Sequence, residues 1–307
     1  MIFEYALQPS VLLSWSSNHR DYSEFFREYG LGTRRIISSF PKKKASKLRS
    51  YLLQHSPADE QSLQGQRYTE MVLKVVEALV FRDVENFEGE WLATVVEENT
   101  RAPFGAVLSS QLVDVDCCIM PENMYEKGSI WECKRQLDIQ RTNQGLYSAI
   151  ENLVSLSSER IEIIDPFAWT QEGIAFIQFL LNSLSIDGVN HVFPSVDIFY
   201  KEKRGGNNTG RGSPPAEYVK TNIVDGLEGE SSNIVINVYE LREKNDGDVF
   251  HNRCILTEHG GVMTGHGIGV SGEEAHTDEA VLMEPHIYKK KWRQFVEERC
   301  FDLASNA

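Results

Sequence analysis

The stretch Phe250-His251-Asn252-Arg253-Cys254-Ile255-Leu256-Thr257-Glu258-His259-Gly260-Gly261 decides how this chain reads. Residues 250–257 have the composition of a strand, and two glycines follow close behind. In a strand, residues two apart share a face. A strand over 250–257 therefore projects His251 and Arg253 together and sends Cys254 and Leu256 elsewhere. An imidazole beside a guanidinium suits phosphate. Arginine forks onto two phosphate oxygens, and histidine can attack phosphorus or donate a proton. Gly260-Gly261 and Gly265-His266-Gly267 add backbone that can approach a ligand closely.

Working outward, Ile161–Ile164 is a short β-rich run closed by Asp165-Pro166. A helix follows from Thr170 or Gln171, with Ile174, Phe176, Ile177, Leu180 and Leu181 as its apolar residues. Val196–Tyr200 and 233–241 read as further strands. Thr142–Leu156 carries Leu146, Ile150, Leu153 and Val154 on one helical face. Residues 204–215 and 271–279 read as loops, and 289–301 as a terminal helix with Trp292, Phe295 and Val296 inward. This alternation predicts an α/β domain over 111–307, a mixed sheet flanked by helices. Ahead of it, 1–110 reads as a mainly helical N-terminal domain. Its first 16 residues look extended, an edge strand interrupted by Pro9. Helical periodicity then covers Tyr22–Tyr29 and Tyr68–Phe81, the latter including Leu79 and Val80. The change of domain is expected between residues 105 and 135.

Composition narrows the function. Lys plus Arg total 31 against 45 Asp plus Glu, a formal charge of −14. That disfavours a nonspecific DNA coat, although an acidic body can carry a local basic site. No apolar run is long enough to cross a bilayer and no secretory signal is visible. The five cysteines, Cys117, Cys118, Cys133, Cys254 and Cys300, form no CxxC and fit reduced thiols, so a cytoplasmic location is expected.

The motif spacing resembles the phospholipase D superfamily signature H-x-K-x4-D followed by G-S. Here it reads His251-x-Arg253-x4-Glu258-x6-Gly265-His266. Arginine stands for lysine, glutamate for aspartate and histidine for serine. The run from His251 to Gly267 is most similar to the phospholipase-D-like C-terminal domain of MIT-domain proteins, a catalytically degenerate, phosphate-recognising form of that fold. Ile164-Asp165-Pro166-Phe167 resembles a strand end of the same family. The resemblance covers about residues 135–290. It implies a phospholipase-D-like sheet with His251, Arg253 and Glu258 in the catalytic positions. Arg253, Gly265, His266 and Asp165 fall to phosphate contact, and no metal or cofactor is implied. Hydrolytic members use two such histidines, whereas this chain has one motif, so an active enzyme is expected to be a homodimer.

Each assignment has a plainer alternative. His251 can be a histidine that satisfies its own hydrogen bonds, and Asp165 can cap the turn at Pro166. His259 and His266 lack a partner set with metal-ligand spacing. Lys201, Lys203, Arg204 and Arg211 flank a glycine-rich loop, a basic loop suited to nucleic acid or simply a solvated face. The favoured expectation is a binding or regulatory protein. It holds a phosphate-bearing ligand such as nucleic acid or a nucleotide, and the N-terminal half engages a protein partner. The general character is similar to bacterial proteins of phage-defence loci. The alternative is a metal-independent phosphodiesterase or nuclease with His251 as nucleophile.

Overall fold

The computed structural model describes residues 1–83, 89–126, 131–184, 189, 192–204, 212–245, 247–251, 253–271, 276–298 and 300–307. Two compact units are present. Met1–Lys134 forms the body of the first, and Arg135–Ser185 with Val192–Ala307 forms the second.

The first unit runs β1 (Phe3–Leu7), α1 (Pro9–Ser17), α2 (His19–Glu28), β2 (Arg35–Ser38), α3 (Ala45–Leu53), α4 (Leu63–Glu77), β3 (Leu79–Val80), α5 (Trp91–Arg101), β4 (Ala106–Leu108) and β5 (Cys118–Ile119). Its strands form one parallel sheet in the order β3-β2-β1-β4-β5. The expectation of a mainly helical region with an edge strand is corrected here. A parallel sheet lies at the centre of this unit, and β1 is its middle strand. Parallel strands buried on both faces are too short and too uniformly apolar to show a two-residue alternation. Leu79 and Val80 continued the helical pattern in sequence, yet α4 ends at Glu77 and the two residues form β3. Pro9 does not interrupt a strand. It opens α1, where a missing N–H costs nothing.

Side-chain parity along the strands separates two cores. Tyr5, Leu7, Ala106 and Leu108 pack with Val11, Trp15, Leu52, Tyr68 and Met71 of α1, α3 and α4. Ala6 and Val107 face the other way and pack with Trp91 and Val95 of α5. Burial of both faces is what a parallel sheet requires. Arg82 crosses this unit fully buried. It donates to both oxygens of Glu4 at 2.7 and 2.5 Å and to Glu98 at 2.8 Å. Its guanidinium also lies 3.6 Å over the Phe104 ring.

The second unit runs β6 (Gln136–Gln140), α6 (Asn143–Ser155), β7 (Arg160–Ile164), α7 (Gln171–Ser183), β8 (Ser195–Lys201), α8 (Ala216–Val224), β9 (Ile236–Arg242), β10 (Cys254–Thr257), β11 (Gly260–Thr264), β12 (Thr277–Leu282), α9 (Pro285–Trp292) and β13 (Asp302–Asn306). Its eight strands form a mixed sheet, β13-β9-β8-β7-β10-β11-β12-β6. The adjacent strands β7, β8 and β9 are parallel, and the others join antiparallel. An α/β fold with a mixed sheet and flanking helices is therefore present. Thr142 and Thr170 cap α6 and α7, each hydroxyl accepting an amide three residues on. Strand β7 pairs with β8 on one side and β10 on the other.

Three details differ from the sequence reading. The strand expected over 250–257 begins only at Cys254, so His251 and Arg253 lie in the segment that leads into it. Residues 277–279, expected in a loop, start β12. The terminal helix is shorter: α9 ends at Trp292, one π turn follows over Arg293–Glu297, and β13 adds an edge strand.

Candidate functional site

The segment before β10, the β11–β12 connection and the edge strand β6 enclose a cleft of about 590 Å³. His251, Arg253, Gly265 and His266 all line it, together with Thr264, Thr277, Asp138, Asp278 and Glu279. Four of the sequence-predicted residues are thus brought together. A shared strand face does not do this, since neither His251 nor Arg253 is in the strand. The hairpin does it instead, by continuing one residue past β10. The Thr264 amide donates to the Arg253 carbonyl at 3.2 Å, and Arg253 Nη1 donates to the Gly265 carbonyl at 3.0 Å. The guanidinium carbon stands 5.7 Å from the centre of the Phe167 ring. Its Nε is buried and has no partner among the described residues. Leaving a buried donor unpaired is costly. Arg253 is held through Nη1, and Nη2 is left to donate to an anion. His251 is exposed beside it.

Asp165 stands beneath the cleft at the end of β7. One oxygen accepts the Phe167 amide at 2.7 Å and the other the Ile268 amide at 2.9 Å. These bonds carry the cap on the Pro166 turn, the plainer of the two sequence readings, and they also fasten the loop that carries Gly265 and His266. Asp165 does not line the cleft, so its effect on a ligand runs through the loop. Burial pushes its carboxyl above the ordinary value, and the two amides and Arg253 oppose that shift.

Asp278 is the residue the sequence reading missed. Its Oδ1 accepts the Gly265 amide at 3.2 Å and the Glu279 amide at 2.8 Å, and its Oδ2 accepts the His266 amide at 2.9 Å. The His266 ring reaches back, with Nδ1 3.2 Å from Oδ1. Burial favours the protonated acid, but the His266 and Glu279 amides and the His266 ring outweigh it and hold this carboxyl below the ordinary value. The signal was present in Thr277-Asp278-Glu279-Ala280-Val281-Leu282, whose polar start disguised a strand.

Glu258 belongs elsewhere, which corrects its expected catalytic position. It lies past the far end of the four-residue β10. There it accepts the Ser157 hydroxyl at 2.7 Å and the amides of Ser158 and Glu159 at 2.7 and 3.1 Å. It caps the turn that feeds β7. His259 is buried, with Nε2 3.0 Å from the Leu156 carbonyl. Of the basic loop, Lys201, Lys203 and Arg204 do not line the cleft. Lys201 pairs with Glu243 at 2.6 Å and Arg204 with Glu202 at 3.6 Å. The Ser213 amide donates to the Lys203 carbonyl and the Lys203 amide to the Ser213 hydroxyl, and Arg211 lies outside the described residues. Among the described residues no three His, Cys, Asp or Glu side chains gather as a metal site, and no helix is long and apolar enough to cross a membrane.

The sequence matches no protein-family model and none of the curated proteins.

Proposed function

We propose that the second unit is a phospholipase-D-like module that recognises a phosphate group on a nucleic acid or nucleotide, and that the chain acts as a binding or regulatory protein. The observation that carries this reading is the convergence of His251, Arg253, Gly265 and His266 on one cleft. Within it, the arginine is held at one nitrogen and has a buried Nε without an acceptor. The order β7, α7, β8 and then the motif segment supports the same reading, because it follows the succession the resemblance implies. Three carboxylates in the cleft wall, Asp138, Asp278 and Glu279, disfavour a long polyanion and favour a single phosphate group. A partner protein bound through the first unit and a cytoplasmic location belong to this proposal.

Titration calorimetry with inorganic phosphate and with a short oligonucleotide tests it. Binding is expected, and Arg253→Ala should weaken it about 10–100-fold, the effect of losing a charge-assisted hydrogen bond. Absence of phosphate binding by the wild-type chain, or an Arg253→Ala variant that binds equally well, overturns the reading.

The exposure of His251 beside Arg253 favours a second reading, a metal-independent phosphodiesterase with His251 as nucleophile. In its simplest form a homodimer supplies the second histidine.

A further inference from the structure

The phosphodiesterase reading needs a proton donor for the leaving oxygen, and the cleft already contains a second imidazole. His266 is more than half exposed at the cleft, while the Asp278 carboxylate behind it is nearly buried. Asp278 is itself held by three backbone amides. Its Oδ1 lies 3.2 Å from His266 Nδ1. A carboxylate accepts, so Nδ1 carries its proton in either charge state of the ring. Proton exchange is left to Nε2. This is the arrangement by which a carboxylate orients a catalytic imidazole.

We infer that His266, oriented by Asp278, is the general acid for cleavage of a phosphodiester at His251, so that one chain carries both histidines. The inference rests on the second reading above and replaces its homodimer. In the first step the His251 nitrogen attacks phosphorus. The bond from phosphorus to the leaving oxygen breaks, and that oxygen takes the Nε2 proton of the His266 imidazolium. An alcohol departs and a phosphohistidine remains. In the second step a water oxygen attacks phosphorus and its proton passes to His266. The phosphorus–nitrogen bond breaks and returns its electron pair to His251. The products are an alcohol and a phosphate monoester, and both histidines regain their starting forms. Arg253 carries the phosphate oxygens through both steps. Among the described residues, the charged and titratable groups that line the cleft with His266 are Asp278 and Glu279 on β12, Asp138 on β6, and His251 and Arg253 on the segment before β10. Asp278 is a positioning residue, because it acts through the ring.

The experiment uses the full chain with two probes, a dinucleoside phosphate with a poor leaving group and bis(4-nitrophenyl) phosphate with a good one. A general acid contributes about 10²–10⁴-fold where the leaving group is poor. Read on the first step, as the pre-steady-state release of the alcohol or nitrophenol, His266→Ala is therefore expected to lose that factor on the dinucleoside phosphate and far less on the nitrophenyl ester. It should also lose the alkaline limb of the pH–rate profile. The rate per chain should not change on dilution, and mixing His251→Ala with His266→Ala should restore nothing. Asp278 holds backbone amides, so Asp278→Asn is checked by circular dichroism, and the His266 variants carry the test if it unfolds. An equal loss of that first step on both probes, restoration of activity on mixing, or a wild-type chain that binds phosphate and cleaves neither probe overturns the inference while leaving phosphate recognition intact. Failure to bind phosphate at all overturns the recognition reading.

Discussion

Gly267 lies directly against Asp165, so close that a methyl group on its α-carbon would overlap the carboxylate oxygen. Its φ of +79° is also in the left-handed region. Two independent constraints thus require glycine at this point of the motif. Gly267→Ala is expected to cost about 1–3 kcal/mol through backbone strain alone. It should also weaken phosphate binding by displacing the loop behind Arg253. Chemical denaturation and calorimetry on the same variant check both effects, and an unchanged midpoint would contradict this account of the loop.

Glu258 should behave as a cap and not as a site residue. Glu258→Ala removes acceptors from a hydroxyl and three amides. It is expected to lower stability by about 1.5–3 kcal/mol and leave phosphate affinity unchanged. A variant that is stable but no longer binds phosphate would return Glu258 to the site.

The two aspartates that hold the loop give opposite pH slopes. The Asp278 carboxyl is depressed in the folded protein, so its contribution is complete above the ordinary value of 3.8 and fades as the pH falls through the lower folded value. The Asp165 carboxyl is raised, so the folded state retains that proton longer, and stability falls as the pH climbs from 3.8 through the folded value. Denaturation across an acid pH series should show the stability gap between wild type and Asp278→Asn closing toward low pH. A gap that stays constant would show that Asp278 acts uncharged.

In the first unit, Arg82→Met leaves Glu4 buried without its cation and takes one of two from Glu98, which keeps Arg101. Breaking a buried ion pair from one side typically costs about 3–5 kcal/mol. Replacing Arg82, Glu4 and Glu98 together by apolar residues of similar size should recover much of that loss. Thermal unfolding of the single and triple variants measures the difference, and a triple variant no better than the single one would refute it.

The second unit was more legible than the first, for reasons of length. Strand β8 is seven residues long and α6 and α7 are thirteen each, long enough for periodicity to show. In the first unit, β3 and β5 have two residues each and carry no period of their own. Hydrogen bonds to neighbouring strands make them strands. The site was half legible. His251, Arg253, Gly265 and His266 are close in sequence and their spacing marked them. Asp138 and Asp278 reach the cleft only through sheet pairing. Register places Asp138 opposite Glu279, and a single sequence contains no record of register.

Strand β6 forms the outer wall of the cleft, and its burial is slight: among its five residues only Ile139 is buried. It lies at the edge of the sheet, bonded to β12 alone. The hairpin that carries the motif is local in sequence, whereas β6 and β12 come from opposite ends of the second unit. A segment with so little apolar anchorage opens at a free energy well below that of global unfolding. Amide exchange is therefore expected to be fast in β6 and slow in β7 and β8. The wall that admits a ligand is then the part of the sheet that detaches most readily, and binding that slows exchange in β6 would register as tightening of this edge.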